Sequence, residues 1–293
     1  MRASHQPKFK KTRIAPTPSG FLHLGNVLSF SITAELARRS GAKILLRIDD
    51  IDHVRASAEY IQDIFDTLNF LEIEWDEGPR DVVDFEAEWS QRHRTRLYDE
   101  AIEQLHAEGL IFACRCSRKQ LNDPAAKCNC KGRQVALDTP DVSWRLDTSA
   151  AGAMRIKTYT GEVIETMLPA GMENFVVKRR DGLPAYQLTS VIDDLHYGTD
   201  LVIRGQDLWE STIAQHILAA ALGREEFKKI TFYHHPLLME VNGGKLSKSA
   251  GAASVRYLRG EGKTAANIFT EIAEMCGLDR NIRDWGELAG PFV

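Results

Sequence analysis

Arg13-Ile14-Ala15-Pro16-Thr17-Pro18-Ser19-Gly20-Phe21-Leu22-His23-Leu24-Gly25-Asn26 is the stretch whose reading decides the fold. An apolar run over residues 11–15 ends in two prolines and a glycine, and a helical pattern opens at Leu24. Proline lacks the N–H that a strand ladder requires, and glycine accepts the backbone angles of a turn. The stretch therefore predicts a strand handing over to a helix, with His23 and Gly25 at the junction. A helix start offers free N–H groups and the positive end of the helix dipole, both suited to phosphate oxygens. Gly25 lets a nucleotide lie against the backbone, and His23 can donate to a phosphate. Read alone, a histidine beside a turn is more often an ordinary surface or core residue.

Working outward, residues 24–39 are apolar nearly all round, which predicts a buried helix. Residues 43–48, KILLRI, form the continuous apolar run of a parallel strand covered on both faces. Strand, helix and strand together open a doubly wound α/β fold. The second strand runs into Asp49, Asp50 and Asp52. Carboxylates at the C-terminal end of such a strand lie on the ligand-binding edge, where they could take an ammonium group or a metal. The plainer alternative is a solvated acidic turn that caps a helix.

Apolar spacing predicts helices over 57–71 and 89–108, with Arg92, Arg94 and Arg96 on a solvated face of the second. Residues 153–180 turn to short alternating runs, read as small strands inserted into the α/β domain. A helix opens at Tyr186 and ends near 194. Residues 201–204, LVIR, return to the main sheet, followed by Gly205 and a helix over 208–222. Arg204 then faces the same edge as Asp49, unless it is a surface arginine.

Four of the five cysteines crowd into Cys114, Cys116, Cys128 and Cys130. Four thiolates in two close pairs can close a tetrahedral Zn²⁺ shell of a structural kind, with no open position for catalysis. The alternative is four unmetallated thiols. Cys276 stands alone and reads as a buried structural thiol.

The second distant signal is Asn242-Gly243-Gly244-Lys245-Leu246-Ser247-Lys248-Ser249-Ala250-Gly251. Two lysines three apart among glycines and serines make a cationic loop suited to a triphosphate, with Lys248 set against charge developing on the phosphates. The spacing does not match the phosphate loop G-x4-G-K-[ST], which argues against that class of nucleotide enzyme.

With 293 residues, 43% hydrophobic and 27% charged, the chain is long enough for a substantial core. The basic, aperiodic residues 1–10 read as a disordered tail. No apolar run approaches a membrane span and no signal-peptide core opens the sequence, so a cytoplasmic location is expected. A formal charge of −4 argues against a generally adhesive nucleic-acid binder and leaves room for a local basic face.

Taken together, PTPSGFLHLGN after a first strand and GGKLSKS after a last strand resemble the HIGH and KMSKS signatures of class I aminoacyl-tRNA synthetases. RIAPTPSG, RIDDID, WDEGP, RRDGLPAYQL, VIDD and VIRGQD extend the resemblance over most of residues 13–251, toward the glutamyl-tRNA synthetase branch and its short members. The resemblance implies a Rossmann-like catalytic domain split into residues 11–110 and 185–251, with a zinc-bearing α+β insertion over 111–184. A short C-terminal helical stub over 252–293 follows, without an anticodon-binding domain.

It further implies ATP-dependent activation of L-glutamate with Mg²⁺ and transfer to tRNA by a monomer. Arg13, Ala15, Thr17, Asp49, Tyr186 and Arg204 would then hold the amino acid. His23, Gly25, Asn26, Gly205, Lys245, Ser247 and Lys248 would hold ATP, with His23 and Lys248 as the catalytic pair. The cysteine quartet would hold the zinc. The short members place glutamate on the queuosine of tRNA(Asp), which the resemblance favours over charging of the 3′ end.

The family pattern has serine at Thr17 and glutamate at Asp49, and aspartate at that position resembles the glutaminyl enzymes, so glutamine stays open as a substrate. The second histidine of HIGH is Asn26, and Cys128 stands where the short members use a tyrosine at another spacing. Two other classes of function remain: a non-catalytic paralogue that binds tRNA or adenylate, and a tRNA-independent ligase acting on a small amine or thiol.

Overall fold

The computed structural model describes residues 8–117, 120, 128–238, 254–278 and 280–293. In chain order its strands are β1 (Lys11–Ile14), β2 (Lys43–Leu46), β3 (Ile111–Cys114), β4 (Ser143–Leu146), β5 (Met154–Thr158), β6 (Val163–Thr166), β7 (Val176–Lys178), β8 (Leu201–Gly205) and β9 (Thr231–His235). The helices are α1 (Leu24–Ser40), α2 (Ala58–Phe70), α3 (Thr95–Ala107), α4 (Tyr186–His196), α5 (Trp209–Ala221), α6 (Val255–Gly260), α7 (Ala265–Met275) and α8 (Trp285–Ala289). None of them is long and apolar enough to cross a membrane.

The chain divides into two compact units, each described by itself. The first comprises residues 1–93, 199–208 and 231–293, and the second residues 94–198 and 209–230.

In the first unit, β1 and β2 pair in parallel with Arg13 opposite Leu45, and β8 and β9 pair in parallel with Gly205 opposite His235. β1 also runs beside β8. The N–H of Asp200 donates to the carbonyl of Lys11, and the Asp200 carboxylate accepts from the N–H groups of Lys10 and Lys11. β1 is thus flanked by its sequence successor β2 and by the distant β8. This is the switch point of a parallel sheet, where crossovers diverge and a crevice opens at the carboxyl ends of the strands.

The expected buried helix is α1, whose Val27, Leu28, Ile32 and Leu36 are fully enclosed. α8 packs on it through Leu288 and Ala289. The WDEGP segment lies against β2, with Glu77 bridging to Leu45. Gly78 is required there. Its φ is 109°, and a Cβ would stand 2.3 Å from the Leu46 carbonyl oxygen. The doubly wound parallel α/β expectation is met, and short helices close the chain's last segment.

The second unit is α+β. β3, β4 and β7 form an antiparallel sheet and β5 and β6 a hairpin, beside the packed pair α4 and α5. Three expectations are corrected. The helix expected over 89–108 is a regular α-helix only from Thr95, after a break at Ser90 and a 3-10 turn over Gln91–Arg94. There the Ser90 hydroxyl and the Gln91 N–H both donate to the Asp50 carboxylate.

Arg94 is also not on a solvated face. It is buried, with its guanidinium on both oxygens of the fully enclosed Asp193 and near the Tyr197 ring. Tyr98 donates to the same carboxylate at 2.7 Å. Such a pair stays ionised because its charges compensate one another where water cannot. Cys276 is half-buried at the end of α7 and not enclosed.

Candidate active site at the strand–helix junction

Pro16, Pro18 and Gly20 end β1 as the sequence predicts, and His23 becomes the N-cap of α1. Its Nδ1 accepts from the Gly25 N–H at 3.1 Å, and its own N–H donates to Asn26 Oδ1 at 3.0 Å. The two contacts make a reciprocal cap that satisfies donors a helix start leaves open. An Nδ1 that accepts carries no proton, so the neutral ring bears its hydrogen on Nε2. The cap therefore selects the tautomer that can donate outward. Gly25 has a packing reason beyond nucleotide approach. A Cβ there would come within 3.0 Å of the His23 ring. Asn26, expected at ATP, spends its side-chain oxygen on the cap.

The turn is tied to a distant segment. His23 pairs with Ser254 as an antiparallel bridge, and the Val255 N–H donates to the Leu22 carbonyl at 2.8 Å. Ser254 in turn caps α6. Lys245, Ser247 and Lys248 lie outside the described residues. Five residues lie between Lys248 and Ser254, a reach of at most ~20 Å for an extended chain.

Beyond β2 the strand pairing continues as single bonds. Arg47 N–H donates to Ile14 and Asp49 N–H to the carbonyl of Pro16, which sets Asp49 beside the Ala15–Thr17 segment. Thr17 itself is exposed. The Asp49 carboxylate is held side-on by Arg47, whose Nε donates at 2.7 Å and Nη2 at 3.0 Å, and both side chains are buried. Sequence reading missed Arg47. Two residues before a carboxylate on an extended chain, it shares the face of Asp49, which is the one available signal. Asp50, by contrast, is structural, anchored on Ser90 and Gln91.

Arg13 is buried and donates to the carbonyl of Ile203, one residue before Arg204. Arg204 is buried with its guanidinium 5.0 Å from the Phe232 ring centre. Gly205 closes β8, where a Cβ would collide with the Asp207 carboxylate at 2.7 Å. The first unit therefore collects Arg13, Ala15, His23, Gly25, Asp49, Arg204 and Gly205 at or just beyond the carboxyl ends of β1, β2 and β8. Tyr186 opens α4 in the second unit, with its side chain largely exposed.

In the second unit the four cysteines converge, their sulfurs all within 4.8 Å of one another. Cys114 and Cys128 are 3.7 Å apart and Cys116 and Cys130 3.6 Å. A tetrahedral Zn²⁺ with Zn–S bonds of about 2.3 Å needs sulfurs about 3.8 Å apart, so the quartet fits the ion. Burial and the neighbouring sulfurs push the Cys116 thiol up to about 12. A divalent cation is the group that would relieve that crowding.

Residues 10–282 match the family model described as tRNA synthetases class I (E and Q), catalytic domain. The chain is 35% identical over 286 residues to a glutamyl-Q tRNA(Asp) synthetase of Symbiobacterium thermophilum, covering 91% of this chain and 86% of that protein. It is 34% identical over 270 residues to glutamate–tRNA ligase 2 of Nitrosococcus oceani, covering 86% of this chain and 56% of that protein. Among solved structures, a glutamate-tRNA synthetase from Elizabethkingia anophelis superposes with a TM-score of 0.73 at 21% identity, over 96% of this chain and 65% of that one. That likeness is one of fold. With the family model spanning nearly the whole described chain, this protein belongs to the class I tRNA synthetases of the E and Q type and is a ligase of that family.

Proposed function

We propose that the chain activates L-glutamate with ATP and transfers it to the queuosine of tRNA(Asp). The observation that carries the ligase chemistry is the bridge between His23 and Ser254. It supports a site in which the first signature turn and the segment leaving the second work on one nucleotide. The acceptor reading rests on likeness to relatives bearing the glutamyl-Q tRNA(Asp) synthetase name, most of whose length this chain covers.

In this reading an oxygen of the glutamate α-carboxylate attacks the α-phosphorus of ATP. The bond from that phosphorus to the bridging oxygen breaks, pyrophosphate leaves with its electron pair, and glutamyl-adenylate remains. A hydroxyl of the acceptor then attacks the acyl carbon, AMP departs and the hydroxyl proton passes to solvent. No protein nucleophile is needed; the work is positioning and stabilisation of phosphate charge. His23 Nε2–H donates to a phosphate and Lys245 and Lys248 offset its charge, work in which Mg²⁺ would share by neutralising phosphate charge when bound. Ser247, Gly25 and Gly205 line the nucleotide.

Arg13 forks onto the side-chain carboxylate of the substrate, as a guanidinium does best. Asp49, set by Arg47, takes the α-ammonium, while Ala15, Thr17 and Arg204 line the same edge; Tyr186, by the family resemblance, is a further contact of the amino acid. The cysteine quartet would hold a structural Zn²⁺, which would supply folding energy to its own unit.

The deciding experiment offers radiolabelled glutamate and glutamine, with ATP, to total tRNA from strains with and without queuosine. The expected result is glutamate label confined to queuosine-bearing tRNA. Equal glutamate labelling of both pools would assign 3′-end charging, the activity in the name of the Nitrosococcus relative, and overturn the queuosine reading. Glutamine label would overturn the substrate.

A further inference from the structure

Asp63 stands on the buried face of α2 and is 2% exposed. Its Oδ2 accepts the backbone N–H of Leu22 at 3.2 Å, while its Oδ1 is enclosed and has no hydrogen-bond partner among the described residues. Keeping a carboxylate in such a place is costly, and burial pushes this one above the usual carboxylate range. Nothing in α2 itself needs it. What it holds is the residue before His23.

Both backbone groups of Leu22 are taken up by distant parts of the chain. The N–H goes to Asp63 on α2, and the carbonyl accepts from Val255 at the start of α6. Leu22 and Val255 are themselves buried, so neither bond is exchanged freely for water. The brace is repeated at its outer edge. Arg256 lies over the Phe21 ring at 4.5 Å and pairs with Glu59 of α2 at 2.5 Å. Arg259 reaches Asp66 of α2 at 3.7 Å. Phe21 meets Tyr60 edge-on at 4.9 Å. The turn is thus clamped between α2 and α6, with Asp63 as the α2 contact on the residue before the histidine.

We propose that Asp63 is a positioning residue for the nucleotide: by fixing Leu22 from behind, it sets the His23 cap and the point where Val255 joins the turn. The proposal rests on the reading that the turn bearing His23 binds ATP. Asp63 touches no substrate. Its effect travels through one backbone amide, and a displacement of a few tenths of an ångström at Leu22 moves the imidazole with it.

The test separates the two ideas by measuring binding instead of turnover. Calorimetry gives the Kd of ATP and of glutamate for the intact wild-type chain, Asp63→Asn and Asp63→Ala. Asparagine keeps an oxygen for the Leu22 N–H but buries an amide that lacks an acceptor; alanine removes the oxygen. Both variants should therefore lose a few degrees of Tm, of order 4 °C. Only Asp63→Ala should weaken ATP binding, about tenfold as expected when one buried hydrogen bond is lost, with glutamate affinity within about threefold of wild type.

Equal ATP affinity in all three proteins would overturn the proposal. So would parallel losses for ATP and glutamate, which would mark Asp63 as merely structural. If the wild-type chain itself fails to bind ATP, the nucleotide reading of the turn falls and the role given to Asp63 falls with it. Should Asp63→Ala not fold, an Arg256→Ala variant loosens the same clamp at its exposed edge. It should weaken ATP about threefold and leave glutamate unchanged, and no change in ATP affinity would count against the clamp.

Discussion

His23 and Ser254 face one another backbone to backbone, so the cap of the first helix and the cap of α6 meet at one bridge. The reciprocal cap within the turn, with Gly25 N–H on His23 Nδ1, leaves the ring proton on Nε2. The same side chain then serves the helix with one nitrogen and the proposed phosphate with the other.

That division of labour can be separated by substitution. Asparagine is among the best N-caps, so His23→Asn should hold Tm close to wild type, whereas His23→Ala should cost about 1 kcal/mol of stability. Both should lower kcat for glutamate-dependent ATP–pyrophosphate exchange by about 10²–10³, the usual loss for one preorganised donor. Lys248→Ala should likewise lower kcat far more than it raises KM for ATP. Unchanged kcat in either series would remove the corresponding residue from the chemistry.

The Arg47–Asp49 fork gives a second test. Arg47→Met strands a buried carboxylate and should cost about 3–5 kcal/mol in urea unfolding. Asp49→Asn should raise KM for glutamate at least about tenfold with little change for ATP, because it removes the charge proposed to meet the α-ammonium. The double variant should be more stable than Arg47→Met alone, since the stranded charge is gone. Additive losses would show that the two side chains do not act as a pair.

For the cysteine quartet, elemental analysis of protein purified without chelator should find one zinc per chain, and Cys116→Ser should bind it weakly. Prolonged chelation should lower Tm, because the metal's binding energy is folding energy for the segment it closes. A metal-free protein with the same Tm would leave the cluster as four thiols.

His235, at the end of β9, is buried and donates through Nδ1–H to the Pro236 carbonyl, which makes Nδ1 the protonated nitrogen. Burial lowers its pKa below the ordinary histidine value. Below about pH 6.5 the unfolded chain binds a proton that the folded chain refuses, so stability falls as pH drops from there toward the folded value, and is unaffected above it. Urea midpoints between pH 7.5 and 5 should decline in wild type and decline less in His235→Gln. Identical slopes would show that other groups govern the decline.

Much of the sheet was legible because its signals are local. The two prolines after Ile14, the apolar run of residues 43–46 and the buried pattern of α1 each sit within one element. The helix expected from Trp89 failed at Ser90 for a non-local reason: Asp50 binds Ser90 and Gln91 and interrupts the helical pattern. Arg94 gave the same lesson. Its neighbours in sequence suggest a solvated face, while its partner Asp193 lies about a hundred residues on and turns it inward.

Spacing and residue type by themselves singled out the segments proposed to carry chemistry: His23 at a strand–helix turn, aspartates past a parallel strand, and cysteines in two close pairs. Those are constraints of backbone angle and ligand count, and they act over a few residues. The partners came only with folding. Arg47 on Asp49, Asp63 behind Leu22 and Val255 on the Leu22 carbonyl exist because buried donors and charges must be satisfied by whatever the packed chain brings within about 3 Å. No local pattern records that demand.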